Sequence, residues 1–229
     1  MDERVDELIA NFARFVQTFD VAQLFTGPST YFHHRTIERL RAHALPSEAL
    51  NDNIFLESLY ATLASWGMHR MGRSGARMSE FRDFQKSIVN QIGNIRQLEN
   101  KQLHKISATD IPALVEGLWS IISALNIGVG DTKIVIGSKT LHHILPELMP
   151  PIDRRYTVRF FFRHTTFNQG DQAAFAEMFP RFHTIAVSRA SEIARLVGVG
   201  SMSTSATKII DNAIVGWVLD RLGEQVEEA

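Results

Sequence analysis

Apolar residues recur at helical spacing along nearly the whole chain, and no stretch shows the sustained two-residue alternation of a half-buried strand. That periodicity restricts the chain to an all-α fold. Val5, Leu8, Ile9, Phe12, Phe15, Val16 and Phe19 form one stripe and predict a first helix. After the turn Thr26-Gly27-Pro28-Ser29, the pattern predicts a helix over 30–43, then a third introduced by Pro46-Ser47-Glu48 and carrying Leu50, Ile54, Phe55 and Leu63. A long helix follows from Phe81 to Leu98, and Thr109-Asp110-Ile111-Pro112 has the chemistry to cap and start the next. Further helices are predicted over 131–145, 154–164, 171–196 and 204–224, about nine in all, with Pro180 kinking or dividing the one that contains it. Short connections and the absence of repeats or linkers predict a single all-α domain over residues 1–229. If the chain divides into lobes, 1–126 and 127–229, the seam lies at Asn126 to Gly130.

Composition narrows the chemistry. Hydrophobic residues make up 45% of 229 residues, enough to fill a sizeable core. The absence of cysteine excludes a disulfide scaffold, thiolate-ligated zinc or iron–sulfur sites, and thiol catalysis. With 24 Lys+Arg against 25 Asp+Glu, the chain is not built to coat nucleic acid indiscriminately, although a local basic face remains open to it. The start, MDERVDELIANFARF, is acidic and amphipathic rather than basic and then apolar, and no apolar run is long enough to span a bilayer. The expectation is a soluble, cytoplasmic protein without membrane contact.

One stretch is chemically suggestive: IGVGDTKIVIGSKTLHHILPELMPPIDRRYTVRFFFRH, from Ile127 to His164. On a helical wheel Ile134, Gly137, Leu141, Ile144 and Leu145 gather on one side, with Lys139, His142 and His143 turned away from it. Pro150-Pro151 hold the chain extended, so Asp153 arrives at the N-terminus of the next helix, where free amides favour a carboxylate. Along that helix Arg155, Arg159 and Arg163 recur every four residues. With Lys139 and Arg154 they outnumber the acidic Glu147 and Asp153 and predict an anion-facing surface. A second basic region runs from Arg70, Arg73 and Arg77 to Lys105, and Trp66 beside Arg70 has the chemistry to stack on a base.

The succession of GVG, a lysine-bearing helix, P-x-L-x-P and an aspartate at the next helix start resembles the helix-hairpin-helix DNA glycosylase superfamily. The same SK-x-L-x(4)-P-x-L-x-P-x-x-D pattern is similar to that of bacterial proteins of unknown function. In the glycosylases the hairpin binds a DNA phosphate, and a lysine of its second helix, where present, attacks the sugar C1′ of a flipped nucleotide to form a Schiff base. The aspartate supports the nucleophile or the developing sugar cation. The resemblance implies Gly128 and Gly130 as hairpin glycines, Lys139 or, nearer the glycines, Lys133 as nucleophile, and Asp153 as catalytic carboxylate. His143, Arg154, Arg155, Arg159, Trp66, Arg70 and Arg73 would then contact the nucleic acid.

Other features have plainer readings. Asp153 is a good N-cap with or without chemistry, and adjacent histidines such as His33-His34 and His142-His143 diverge by about 100° on a helix, so no metal site or cofactor is expected. Phe160-Phe161-Phe162 requires burial on more than one side, in the core or in a homodimer contact. Lys208 and Asp211 suggest a surface ion pair, with Asn212 a candidate buried polar group. The expected function is nucleic-acid binding, with N-glycosidic cleavage of a flipped base if the chain is an enzyme. The alternative is a non-enzymatic helical interaction module that binds a protein partner.

Overall fold

The computed structural model describes residues 2–70, 77–128 and 133–223, and among these the architecture is all-helical. Thirteen α-helices follow in order: α1 (Asp2–Ala10), α2 (Phe12–Ala22), α3 (Pro28–Arg41), α4 (Pro46–Ala49), α5 (Asn53–Ser65), α6 (Phe81–Val89), α7 (Ile92–Arg96), α8 (Ile111–Ala124), α9 (Ile134–Ile144), α10 (Arg159–Phe162), α11 (Asp171–Ser188), α12 (Ala190–Leu196) and α13 (Ala206–Leu222). Among the described residues the one extended pairing is an antiparallel bridge between Met78 and Gly128. No helix there is long and apolar enough to cross a membrane.

The count exceeds nine because periodicity survives small breaks. The first stripe is continuous in space, yet the chain turns at Asn11, whose amide and side chain both donate to the Glu7 carbonyl at 3.1 Å. The stretch from Phe81 to Leu98 likewise divides into α6 and α7. Pro180 does not divide its helix: α11 runs unbroken through it and ends at Arg189 instead. The carbonyl that Pro180 deprives of a donor belongs to Ala176, which is exposed and free to bond solvent, while Phe175, Met178, Phe179 and Phe182 hold the helix on the core.

α13 is the central element. Every residue from Thr207 to Val218 is buried, so the helix is surrounded on all sides. Its closest neighbour is α2, where a Cβ added at Gly216 would lie 1.8 Å from the Phe15 carbonyl oxygen. Polar bonds tie α13 to both N-terminal helices: Trp217 donates its indole N–H to Glu7 of α1 at 2.8 Å, and Arg14 of α2 pairs with Asp220 at 2.7 Å. The aromatic triplet is buried from two directions, Phe160 edge-on to Trp217 and Phe161 edge-on to Phe182. Arg4 caps this region by donating to the carbonyls of Arg159 and Phe160. One apolar cluster therefore extends from Val5 to Val218 and includes residues on both sides of Asn126.

Replacing Gly216 by alanine should destabilise the protein by at least about 3 kcal/mol, because the added methyl meets backbone rather than a movable side chain. Urea denaturation followed by circular dichroism measures this; a loss below about 1 kcal/mol would show that α2 and α13 separate freely.

Candidate functional site

The site is built by α9 and the segment that follows it. All eleven residues of α9 are buried, which corrects the expected exposed face: Lys139, His142 and His143 are enclosed by other elements, not by solvent. One side packs on α8, where a Cβ on Gly137 would come within 2.9 Å of Ile122. On another side the polar residues of the SKTLHH run clamp the returning chain. Ser138 Oγ donates to the Val135 carbonyl and accepts the Ile152 amide at 3.0 Å, while His142 Nδ1 donates to the Met149 carbonyl at 3.0 Å. These two bonds lay the extended Met149-Pro150-Pro151-Ile152 stretch along α9 and deliver Asp153 to the neighbourhood of Lys139.

Asp153 caps a π-helical turn, Arg154–Val158, by accepting the Tyr156 amide at 2.7 Å, and its own amide donates to Thr157 Oγ1 at 3.2 Å. The wider turn and the left-handed backbone at Arg163 break the four-residue arginine register expected there. Arg154 and Arg155 are exposed, their guanidinium groups over Phe167 and Tyr156. Arg159 is partly buried.

Lys139 is 9% exposed, and its amine lies 5.7 Å from the centre of the Trp66 ring. Among the described residues it makes no hydrogen bond and no ion pair. Burial pushes its pKa down, opposed by the carboxylates of Asp153 and Asp211 and reinforced by the Lys208 charge. Asp211 comes from α13, where Lys208 Nζ donates to it at 2.7 Å and to Asn212 Oδ1 at 2.5 Å, and Asn212 donates to the Met202 carbonyl. Lys208 and Asp211 are thus a buried pair, not the expected surface one, and burial raises the Asp211 carboxyl despite Lys208. Trp66, Phe25 and Tyr156, all partly buried, line the adjoining apolar cluster. Lys208 lies over Phe25 at 5.2 Å, and Phe25 touches Trp66.

Behind Lys139 three histidines meet. His143 Nδ1 lies 2.7 Å from the Lys139 carbonyl, so it carries the proton and Nε2 accepts from His33 Nδ1 at 2.9 Å. His33 Nε2 in turn accepts the Thr204 hydroxyl at 2.8 Å. Both nitrogens of His143 are therefore committed inside the protein and support the helix. His142 Nε2 is buried with no partner among the described residues. No group of three or more histidine, aspartate or glutamate side chains there is arranged to hold a metal ion.

The remaining expected positions lie apart. Lys133 starts α9, its amide capped by Asp171 at 2.7 Å and its amine spent on the Ser123 carbonyl at 2.6 Å. Gly128 pairs with Met78, while Gly130 and Arg73 fall outside the described residues and Arg70 ends a short 3₁₀ turn after α5. Trp66 closes α5 with its indole N–H on the Ser29 carbonyl and its ring stacked on His33. Two surface cavities, one of about 190 Å³ beside Arg41, His43 and Glu147, lie away from Lys139. Sequence reading missed Lys208, Asp211 and Tyr156 as site residues, because they approach from elements distant in the chain.

Comparison of the chain with protein-family models, with curated proteins and with solved structures gives no match.

Burial holds His143 at about 4 and keeps His33 and His142 well below the ordinary imidazole value. The unfolded chain takes up these protons first, so stability is full above about pH 6.5 and falls as pH drops toward 4, by about 1.4 kcal/mol per unit for each ring held neutral. Urea midpoints at pH 7.5 and 5 should differ accordingly; equal midpoints would mean that the rings are accessible to protons in the folded state.

Proposed function

We propose that the chain binds nucleic acid and acts on the sugar of one extruded nucleotide through the Lys139 amine, with Asp153 assisting. The observation that carries this reading is a largely buried amine, over the Trp66 ring, that makes no hydrogen bond among the described residues. A lysine that has lost most of its solvent and gained no hydrogen bond is costly to fold, and its depressed pKa keeps a larger neutral, nucleophilic fraction at neutral pH. The neighbouring carboxylates supply what such a nucleophile needs, a proton acceptor and a negative charge facing an oxocarbenium-like sugar.

In the proposed reaction the amine attacks C1′, the C1′–N bond breaks, and the base leaves with the bonding electrons and takes up a proton. The amine proton passes to a carboxylate and from it to O4′ as the C1′–O4′ bond breaks, which opens the sugar ring and leaves a protonated Schiff base between Lys139 and C1′. The exposed Arg154 and Arg155 follow Asp153 directly, so a backbone whose phosphates meet them passes beside the carboxylate. The extruded sugar must displace the packing around Trp66 to reach the amine, which favours unpaired or abasic sites over intact duplex.

Borohydride added to the protein with an abasic duplex should trap a covalent adduct; K139A should abolish it, and K133A, whose amine is spent on a carbonyl, should leave it intact. D153N should slow trapping by about 10²-fold or more. An adduct that survives in K139A would sink the assignment. Binding should weaken with salt, and R154A/R155A should lower the slope of log affinity on log salt by about two. Retention on DNA that ignores salt would point instead to the interaction-module reading.

A further inference from the structure

One neighbour of the Lys139 amine is placed by direct contact: the indole of Trp66, whose ring centre lies 5.7 Å from Nζ, within the range at which a cation is attracted to an aromatic face. That ring is held from several sides. Its N–H donates to the Ser29 carbonyl at 3.1 Å, which ties the end of α5 to the start of α3. His33 stacks on it with ring centres 5.3 Å apart, His143 meets it edge-on at 5.0 Å, and Phe25 packs beside it at 5.8 Å. Burial keeps His33 and His143 uncharged at neutral pH, so neither imidazole competes with the ammonium for the electron density of the indole.

We propose that Trp66 is a positioning residue for the Lys139 amine: the indole, locked by Ser29, His33 and His143, holds the ammonium form in place where no hydrogen bond among the described residues does. This rests on Lys139 being the reactive group of the site, as proposed above, but not on the identity of its substrate. The arrangement suits a nucleophile. A carbonyl or carboxylate bonded to the amine would claim an N–H and keep it in the neutral form, whereas an aromatic face attracts the charge without a directional bond and lets go once the proton leaves. The amine is aimed while charged and free while neutral. The charged and titratable groups around it are Asp153 from the π turn, Asp211 and Lys208 from α13 and His143 from its own helix, with His33 of α3 beyond the indole. A test of Trp66 must leave all of these unchanged.

Fluorinated tryptophans meet that condition on the whole chain without nucleic acid, because each fluorine draws electron density from the indole face and hardly alters its shape. The protein has three tryptophans, Trp66, Trp119 and Trp217. It is prepared with tryptophan, 5-fluorotryptophan or a difluorotryptophan and methylated with formaldehyde and cyanoborohydride over a pH series, and modification of Lys139 is read residue by residue by mass spectrometry. The midpoint of Lys139 labelling should move stepwise to lower pH with each fluorine, because the ammonium form loses attraction, and labelling at pH 7 should rise by about twofold or more for the difluoro ring. A ring that only buried the amine would leave the midpoint where it is. The shift should vanish in W66F, which carries fluorine at positions 119 and 217 alone. If W66F does not fold, W119F/W217F, with fluorine at Trp66 alone, should keep it. A midpoint that ignores fluorine in the native chain overturns the inference, as does a shift that persists in W66F or disappears in W119F/W217F. A fluorine-dependent midpoint with no adduct on abasic DNA leaves Trp66 its role and removes the proposed sugar chemistry; an adduct with a midpoint blind to fluorine does the reverse.

Discussion

The structure depends on running a helix with charged residues through the centre of an apolar core. α13 is enclosed from Thr207 to Val218, and two conditions permit it. Its backbone must come into contact with α2, which only the missing Cβ of Gly216 allows. Its polar residues must compensate one another, and Lys208, Asp211 and Asn212 do so within a single turn. A buried ion pair of this kind contributes little net stability against apolar residues of the same volume. What it contributes is a fixed polar pairing inside the central helix, tied through Asn212 to the loop before it.

The second constraint is the clamp between α9 and the chain that returns beside it. A proline pair cannot donate hydrogen bonds, so the extended stretch before Asp153 needs other ties, and Ser138 and His142 supply them through Ile152 and Met149. The polar residues of the SKTLHH run therefore have two tasks. Ser138, His142 and His143 hold backbone, whereas Lys139, placed among them, holds none. The difference between the two candidate lysines follows from the same accounting of hydrogen bonds: Lys133 donates to the Ser123 carbonyl near the end of α8, and Lys139 finds no acceptor among the described residues.

The helical class was legible because spacing of apolar residues reports it locally, and Asp153 as an N-cap was legible because capping needs only its own next turn. Helix ends were less so: the stripe from Val5 to Phe19 runs across the break at Asn11 without interruption, and Pro180 suggested a break that an exposed Ala176 carbonyl makes unnecessary. The surroundings of Lys139 were not legible at all. A helical wheel sees one helix, and the face it assigns to solvent is covered here by α3, α5 and α13. For the same reason the wheel, which sets His33 and His34 about 100° apart, could not show that the partners of His33 are His143 and Thr204. Lys208 and Asp211 read as a surface pair because nothing in their own sequence shows that α13 is surrounded.

The places where local rules fail therefore fall close together: a wheel-exposed lysine that is buried, a surface-type ion pair that is central, a histidine with a bare acceptor nitrogen, and a helix opening with a π turn instead of an α turn. A chain selected for stability alone would remove such conflicts, since each carries a desolvation or geometric cost and simple substitutions relieve it. Where each polar group satisfies its neighbour, as His143 and His33 do, the cost is offset within the protein. At Lys139 it is not. The Lys139 amine, largely buried over the Trp66 ring and without a hydrogen bond among the described residues, is compensated more weakly than its polar neighbours, which is why the proposed function centres on it.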